Sequence, residues 1–533
     1  MGMRRLIIAA LAIVLILVTG CGPAVPTVLP LTDPPPSAET SVPQATSGEA
    51  PVYTPVPQAA GGEGESTPSF FSWDTGTVSG RIVFPGESVS ATGGPAVDLF
   101  FENVATAEVR ILSLPAGQVT YTVVLPAGAY TVYAWTPALA EKGAFTACRL
   151  GEDCADHSLQ TITVSESRPL TGVDVADWVP VERPSLVLAG TLIDGTGTDP
   201  LFDAALVIRE ERIVAVGPRS AVQVPVDARV IDWSGITLLP GFINAHVHNT
   251  HSAYNRRAWA RAGVTTVRDL GAPADLPDLF GLRDRLNAVP ENARSILAGP
   301  LVTVPGGYPT SRLACLTVTS PEDARRKIGQ LIDEGADVIK ITMESGAGPM
   351  LSLEEAAAIV ETAHARGIHV TVHVTHLRDM TQALDAGVDN IAHMVEERVP
   401  RAVIQRMVDA GVTWVPTLAA LGGHDSGNLR RFIDAGGVVA MGNDAGYLQG
   451  LVIGMPMPEI EYMHAAGITP LEIIVASTGH AAYVCDRLST LGTLEVGKYA
   501  DVLVVEGDPL QDLQVLEDVR LVVHGGVVIR EED

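Results

Sequence analysis

The pattern of hydrophobic and polar positions divides the chain into segments of different character. Between residues 237 and 441, short and nearly continuous apolar runs alternate with segments of helical periodicity, such as residues 321–333. Strands that are covered on both faces carry such runs, so the alternation favours parallel strands connected by helices. Eight runs fit: 242–248, 264–268, 296–299, 338–342, 369–374, 390–393, 412–417 and 438–443. The sequence therefore predicts an α/β fold with a (β/α)8 TIM-type barrel over residues 240–489.

A second pattern, with a period of two, precedes the barrel. Short alternating runs at residues 78–84, 119–125 and 130–135 are separated by turns that contain proline and glycine. Alternation of this kind is typical of half-buried antiparallel strands. We therefore expect an all-β sandwich over residues 71–180, with a weak resemblance to carboxypeptidase-regulatory-like and prealbumin-like domains.

The N-terminal segment has the pattern of an export signal followed by a tether. Two arginines precede an apolar run of thirteen residues at 6–18, which is too short for a bilayer core that needs about 20 residues. Residues 1–20 are thus predicted to be a lipoprotein signal peptide, because Val18-Thr-Gly-Cys21 resembles the bacterial lipobox, where a cysteine receives lipid. An ordinary signal peptide, and export by a twin-arginine route, remain alternatives. Residues 21–70, rich in Pro, Ser and Gly, are predicted to be a flexible tether.

This N-terminus predicts a protein outside the cytoplasm, anchored by lipid at Cys21 to a membrane at the cell surface or in the periplasm. Cys148 and Cys154 flank a five-residue loop, and in an oxidising compartment such a pair favours a disulfide. Two free thiols on a hairpin are the alternative.

Composition excludes some classes of function. The chain of 533 residues carries 35 basic and 62 acidic side chains and a net charge of −27. Such a charge repels phosphate backbones, so no nucleic-acid partner is expected. Five cysteines are too few and too scattered for a disulfide scaffold or a four-cysteine zinc module.

Polar side chains end five of the eight predicted barrel strands. Catalytic groups of such barrels lie at the carboxyl ends of the strands. His246 and His248 alternate along one strand, so both rings point to the same side. Singly, a buried histidine is usually a core residue and a terminal aspartate a helix cap. Together the set predicts one polar site at the barrel mouth: His246, His248, Lys340, His373, His393 and Asp444.

These motifs resemble the amidohydrolase superfamily, in its Xaa-Pro dipeptidase-like and imidazolonepropionase-like branch. The resemblance covers residues 185–530 and includes Leu239-Pro-Gly-Phe-Ile-Asn-Ala-His-Val-His248, the strands that carry Lys340, His373 and His393, and Met441-Gly-Asn-Asp444. It implies that residues 185–239 and 490–530 form a small composite β-sandwich.

The resemblance also implies the ligands of two divalent metal ions, for which zinc is the expected metal. His246 and His248 would bind one ion, and His373 and His393 the other. Lys340 would bridge both ions as a carbamate, since the carboxylated side chain offers two oxygen ligands. Asp444 would hold a bridging hydroxide and transfer its proton as the catalytic residue. An uncarboxylated Lys340, paired to an acid, is the alternative.

This site predicts a metal-dependent hydrolase. The bonds that it cleaves are expected to be carbon–nitrogen bonds outside nucleic acids. The favoured function is a dipeptidase or an N-acyl amino acid amidohydrolase. The first alternative is a mononuclear deaminase or cyclic-amide hydrolase of the imidazolonepropionase type. The second is an inactive, lipid-tethered binding protein.

Substrate contacts are predicted at three residues. The loop Gly306-Gly-Tyr-Pro309 departs from the branch, which often has a histidine after the glycines, so Tyr308 would either hydrogen-bond the substrate or pack within the loop. His376 and Arg378 follow a barrel strand, and Arg378 would hold a carboxylate through two hydrogen bonds, unless both are solvated. The oligomeric state is open, with a homo-oligomer as one alternative.

Overall fold

The computed structural model describes residues 75–84, 94–106, 108–136, 141–148, 157–166, 168–180 and 185–532. The predicted signal peptide, the lipidated Cys21 and the tether lie outside these residues, and so does Cys154, the predicted partner of Cys148. Residues Phe71–Asp533 form one compact unit. In the described part of the chain, every helix is too short or too polar to cross a bilayer.

The first described strands form two antiparallel sheets. One pairs β1 with β4, and the other has the order β3-β2-β5-β6-β8, with β7 paired to β5. Inward-facing side chains such as Val78, Leu99 and Val132 are fully buried between them, because alternate residues of a strand face the same side. The strands are Thr75–Arg81 (β1), Val97–Asn103 (β2), Val109–Leu114 (β3), Thr120–Pro126 (β4), Gly128–Thr136 (β5), Glu141–Ala144 (β6), Thr161–Val164 (β7) and Asp177–Pro180 (β8).

A third sheet joins strands from both sides of the α/β region. Its order is β11-β10-β9-β13-β23-β24-β25, with β12 paired to β9. The pairing of β13 with β23 brings Leu238 opposite Val504, far apart in sequence. Its strands are Leu186–Leu192 (β9), Leu201–Arg209 (β10), Arg212–Pro218 (β11), Arg229–Ile231 (β12), Ile236–Pro240 (β13), Val502–Glu506 (β23), Val519–His524 (β24) and Val527–Glu531 (β25).

The α/β region consists of parallel strands in two sheets, ordered β14-β15-β16 and β18-β17-β19-β20-β21-β22. Nearly every strand residue is buried, which explains the continuous apolar runs. The strands are Phe242–Val247 (β14), Val264–Asp269 (β15), Arg294–Leu297 (β16), Val302–Thr303 (β17), Leu316–Thr317 (β18), Ile339–Thr342 (β19), Val370–His373 (β20), Asn390–Ala392 (β21) and Thr413–Val415 (β22).

Helices connect these strands, and several begin at side-chain caps. Ser320 accepts a hydrogen bond from the backbone of Asp323 at the start of α3, and Ser352 and Glu355 form a capping box at the start of α4. The helices are Ala253–Arg261 (α1), Leu279–Asn287 (α2), Pro321–Asp333 (α3), Leu353–His364 (α4), Leu377–Ala386 (α5), Arg401–Asp409 (α6), Asn428–Asp434 (α7), Met457–Ala465 (α8), Pro470–Ala476 (α9) and Gly479–Val484 (α10).

Seven of the eight predicted runs are strands, and the eighth, at residues 438–443, is not. It still lies between β22 and β14, because Trp414 N donates to the carbonyl of Val438 and Ala245 N donates to that of Met441. On the other side, β16 reaches β19 through a single backbone bond from Asp337 N to Leu297 O. The carboxylate of Asp337 accepts from Leu297 N, so a side chain replaces part of the ladder there.

The N-terminal sheets pack on the helices that follow β14 and β15. The stacked rings of Phe100 and Tyr133, with centroids 4.9 Å apart, share an apolar cluster with Ala253 of α1 and Leu286 of α2. Lys142 forms an ion pair of 2.6 Å with Glu291 across the same contact. This β-rich region is therefore held against the segments that leave the α/β region near its first strands.

Candidate metal centre

The six predicted ligand residues lie together in one cavity of about 420 Å³ at the carboxyl ends of the parallel strands. His246 is the last residue but one of β14, Lys340 lies in β19 and His373 ends β20, while His393 directly follows β21. The cavity is lined by all six of the predicted ligand residues: His246, His248, Lys340, His373, His393 and Asp444.

Short distances join two of the histidines to Asp444. His246 Nε2 lies 3.1 Å and His248 Nε2 3.0 Å from Asp444 Oδ1. The ring centroids of His246 and His393 are 4.9 Å apart, and those of His373 and His393 are 4.4 Å apart. The four imidazoles and the carboxylate thus form one continuous group.

Burial favours the neutral form of three of the four histidines. It lowers the pKa of His246 and of His373 to about 3, with a further contribution from Lys340, and it also lowers the pKa of His393. For His248 the effect of burial is outweighed by Asp444, which raises the pKa. Neutral imidazole is the form that binds a metal ion. Burial would raise the pKa of Asp444, but His246 and His248 hold it well below its usual value, so the carboxylate is ionised.

Hydrogen bonds orient two of the rings. His248 Nδ1 lies 3.0 Å from the carbonyl of Gly271, and His393 Nδ1 lies 2.8 Å from Thr417 Oγ1. With Nδ1 engaged, Nε2 of each ring is directed into the cavity, as in other histidine metal sites. The two residues after Thr417 are fixed by Glu459. Its buried carboxylate accepts hydrogen bonds from the backbone N–H groups of Leu418 and Ala419.

The backbone is strained where it presents these groups. Four non-glycine residues of the site have a left-handed conformation: Asn249 (φ 60°), His393 (φ 73°), Thr417 (φ 49°) and Asp444 (φ 61°). Such residues are uncommon and persist only where their surroundings impose them. At Gly442 a Cβ atom would lie only 2.8 Å from His246 Cβ, so any side chain there would displace the first strand.

Lys340 is buried, with 1% of its surface exposed. Burial lowers its pKa to about 7, against the opposing effect of Asp444 and with a contribution from Arg268. Arg268 lies below the site, where its Nε donates to the carbonyl of Ala245. A substantial fraction of the Lys340 amine is therefore neutral near neutral pH.

Unpaired polar atoms show that the residues fit a cation. Within the described residues, His246 Nδ1 and Lys340 Nζ are buried without a hydrogen-bond partner. One unsatisfied buried group costs about 1–3 kcal/mol. His246, His248 and Asp444 each offer a ligand atom, and the three atoms lie within 4.8 Å of one another. Nitrogen and oxygen ligands of this kind suit a divalent ion such as zinc.

Four residues around the site were not among the sequence predictions. Glu344 is buried, accepts from Thr375 Oγ1 at 2.7 Å and lies 3.7 Å from His373 Nε2. Asp269 accepts from the backbone and hydroxyl of Thr250 and lies 3.8 Å from His248 Nδ1. Asp269 ends β15 and Glu344 closely follows β19. The rule that selected the histidines, that polar residues at the ends of barrel strands form the site, therefore also selects these two. Thr417 ends the predicted run at 412–417, so the same rule points to it, whereas Arg312 lies in a loop where no pattern marks it.

Of the three predicted substrate contacts, one lines the cavity and two lie outside it. Tyr308 lines the cavity, with its ring centroid 4.8 Å from that of His373. His376 does not line it and lies instead 3.5 Å from a carboxylate oxygen of Glu344. Arg378 is exposed at the start of α5 and is also outside the lining.

Comparisons with known proteins agree with one another. Residues 237–529 match the sequence model described as the amidohydrolase family. The chain is 28% identical over 368 residues to an imidazolonepropionase of Symbiobacterium thermophilum, covering 56% of this chain and 83% of that protein. It is 26% identical over 419 residues to an ochratoxinase of Aspergillus niger, covering 64% of this chain and 85% of that protein. A solved Xaa-Pro dipeptidase with methionine in its active site aligns with a TM-score of 0.58 and 26% identity, over 65% of this chain and all of that one.

The contact between Thr417 and His393 makes a prediction about metal affinity. Thr417→Val removes the hydroxyl that orients the ring, and we expect the affinity of the site for a divalent ion to fall about 10- to 100-fold. Competition with a chromogenic chelator measures this. Thr417→Ser, which keeps the hydroxyl, is the matched control and should remain near the wild-type affinity. Equal affinities for Val and Ser would show that the hydroxyl does not hold the ring.

Proposed function

We propose, from the premise that the chain belongs to the amidohydrolase family, that it hydrolyses the amide bond of dipeptides or N-acyl amino acids. Membership confirms the family resemblance, and the relatives make the protein a metal-dependent hydrolase of carbon–nitrogen bonds. The observation that carries the proposal is the buried cavity in which four histidines, a lysine and an aspartate meet. The Xaa-Pro dipeptidase among the structural relatives favours a dipeptide-like substrate.

In this proposal the parallel strands close as an eight-stranded barrel, and the residues at its mouth hold two divalent ions. His246 and His248 would hold one ion, and His373 and His393 the other. When bound, such ions polarise a carbonyl group and lower the pKa of water, which makes a nucleophile available near neutral pH.

Lys340 would join the two halves of the site as a carbamate. Its neutral amine adds to carbon dioxide, forming an N–C bond and releasing one proton, which leaves a carboxylate on the side chain. Burial supports this step, because it lowers the pKa of Lys340 to about 7 and leaves Nζ without a partner among the described residues. The product would supply the negative charge that four neutral imidazoles lack.

Asp444 would transfer the proton of the reaction. Its carboxylate is ionised and faces the cavity beside His246 and His248, so it accepts a proton from the attacking water. It then donates this proton to the leaving nitrogen, because an amide nitrogen leaves readily only as an amine. Tyr308 lines the same cavity and would hydrogen-bond the substrate.

A second candidate function is hydrolysis of a cyclic amide at a single ion, with Lys340 uncarboxylated. The imidazolonepropionase among the relatives favours it, and so does the close group of His246, His248 and Asp444, which needs no second ion. An inactive binding protein is not favoured, since all six predicted ligand residues line the cavity.

We also propose that residues 1–20 direct export and that Cys21 anchors the protein by lipid to a membrane, at the cell surface or in the periplasm. The lipobox-like Val18-Thr-Gly-Cys21 and the proline-rich residues 21–70 support this. Residues 71–180 would form a sandwich of their own, and residues 185–239 would combine with 490–530 around the barrel at 240–489. A homo-oligomer is compatible with this arrangement.

Replacement of Asp444 tests the reaction. We expect Asp444→Asn to lower kcat about 10²- to 10⁴-fold for a dipeptide or N-acyl amino acid that the wild type cleaves, because proton transfer is lost. Amine release from dipeptide, N-acyl amino acid and cyclic-amide libraries measures it. Asp385→Asn, an exposed carboxylate on α5, should keep full activity. Cleavage of cyclic amides alone would favour the second candidate.

Metal content tests Lys340. The wild type is expected to bind two divalent ions per chain, and Lys340→Met about one or fewer, because the bridging group is missing. Mass spectrometry of the metal in the purified full chain measures this. Lys327→Met, at a lysine paired with Asp323 on α3, should still bind two. One ion in the wild type, or two in Lys340→Met, would contradict the carbamate.

Substitution of Cys21 tests the anchor. In the native host, we expect the wild-type chain in the membrane fraction and Cys21→Ser in the soluble exported fraction, because a lipid chain contributes about 0.8 kcal/mol per buried CH₂. Fractionation with immunodetection measures it, and Cys485→Ser, at a buried free cysteine, is the control. An unchanged distribution of Cys21→Ser would show that lipid at this residue does not anchor the chain.

A further inference from the structure

The cavity has one cationic side chain that the metal centre and the proposed chemistry leave unused. The ionisable groups of its lining are the four histidines, Lys340, Asp444, Tyr308, Tyr447 and Arg312. Among these, Arg312 alone is a permanently charged cation, because a guanidinium does not lose its proton in proteins. Within the described residues no carboxylate lies close enough to Arg312 to form an ion pair, whereas many of the other arginines do have such a partner.

The loop that carries Arg312 has a defined fold over the cavity. Arg312 N donates to the carbonyl of Pro309 at 2.8 Å, and Leu313 N donates to the same oxygen at 3.1 Å. Thr342 Oγ1, at the end of β19, donates to the carbonyl of Tyr308 at 2.6 Å. Three hydrogen bonds therefore tie the loop into turns and fasten it to a strand of the site.

Arg312 also lies close to Tyr308. Burial and Asp444 raise the pKa of Tyr308, while the positive charge of Arg312 opposes this rise. Tyr308 in turn lies beside His373, so the guanidinium, the phenol and the proposed metal ligands face the same volume. A substrate that fills this volume contacts all of them.

The other residues that line the cavity indicate which further groups a ligand would carry. Leu301, Leu313 and Leu448 supply apolar surface around the polar centre. A guanidinium matches the geometry of a carboxylate and binds it through two parallel hydrogen bonds. The chain as a whole has a net charge of −27 and repels anions, so an anionic substrate needs a local cation of this kind.

We propose that Arg312 is a specificity-determining residue that binds the free α-carboxylate of the leaving amino acid. The substrates are then N-acyl or N-aminoacyl derivatives of an apolar amino acid whose carboxyl group is not blocked. This inference rests on the proposed function, because it assigns the substrate to the same cavity. It moves the carboxylate contact from Arg378, which lies outside the lining, to the loop after β17.

This inference is tested with pairs of substrates, in which one member has a free α-carboxylate and the other does not. N-acetyl-leucine and N-acetyl-leucinamide, and the dipeptide Ala-Leu and its carboxamide, differ only in the carboxyl group. We expect the metal-loaded wild type to prefer each carboxylate by about ten- to a hundredfold in kcat/KM, and Arg312→Gln to lose that preference, mainly through KM. Cleavage of the carboxamides should change little, since Arg312 does not contact the reacting atoms.

Equilibrium binding gives a readout that does not depend on turnover. Calorimetry with the metal-stripped full chain measures the affinity for N-acetyl-leucine and for its carboxamide. The wild type should bind the carboxylate more tightly, and Arg312→Gln should bind the two ligands equally. Arg312→Lys keeps the charge but loses the second hydrogen bond, so it should recover part of the preference. Unfolding temperatures confirm that the variants fold.

The variant Arg378→Ala shows which of the two arginines, Arg312 or Arg378, binds the carboxylate. It should keep the wild-type preference. Loss of the preference in Arg378→Ala, its persistence in Arg312→Gln, or the absence of any preference in wild-type binding would overturn the assignment. If amides are hydrolysed without a carboxylate preference, only this inference fails. If no amide is hydrolysed but carboxylate binding still depends on Arg312, the proposed function fails and the binding site stands.

Discussion

The metal centre depends on a cluster of buried polar side chains that the rest of the fold must support. In the described part of the chain, His246 Nδ1 and Lys340 Nζ have no hydrogen-bond partner, and a buried polar atom without a partner costs free energy. Apolar packing elsewhere must offset this cost. The parallel strands supply that packing, since their side chains are almost completely buried.

The surroundings of the cluster keep it from relaxing. Left-handed backbone at His393 and Asp444, the close approach at Gly442 and the hydrogen bond of Thr417 each remove an alternative position for a ligand. A side chain that can neither rotate away nor reach a protein partner stays available to a bound ion. Rigidity and incomplete hydrogen bonding are therefore two aspects of the same preorganised site.

The sequence predicted the strands and the inward-facing ligands better than the loops. Continuous apolar runs locate a buried strand, and the last polar residue of a run locates His373 or Asp444, because both signals are local. The run at 438–443 is not a strand, since it contacts its neighbours through only a few backbone bonds. Arg312 escaped prediction, because its position depends on a loop fold that no periodicity encodes. Thr417 ends the predicted run at 412–417 and could have been selected. Glu344 follows its strand as the histidines do and was within reach of the same reasoning.

The pairing of β13 with β23 has a consequence for biosynthesis. A ribosome makes β13 about 260 residues before its partner β23, so the hydrogen-bonding edge of β13 stays open until almost the whole polypeptide has emerged. Contacts between such distant segments form late. The sheet that joins both ends of the α/β region is therefore completed only when translation is almost finished.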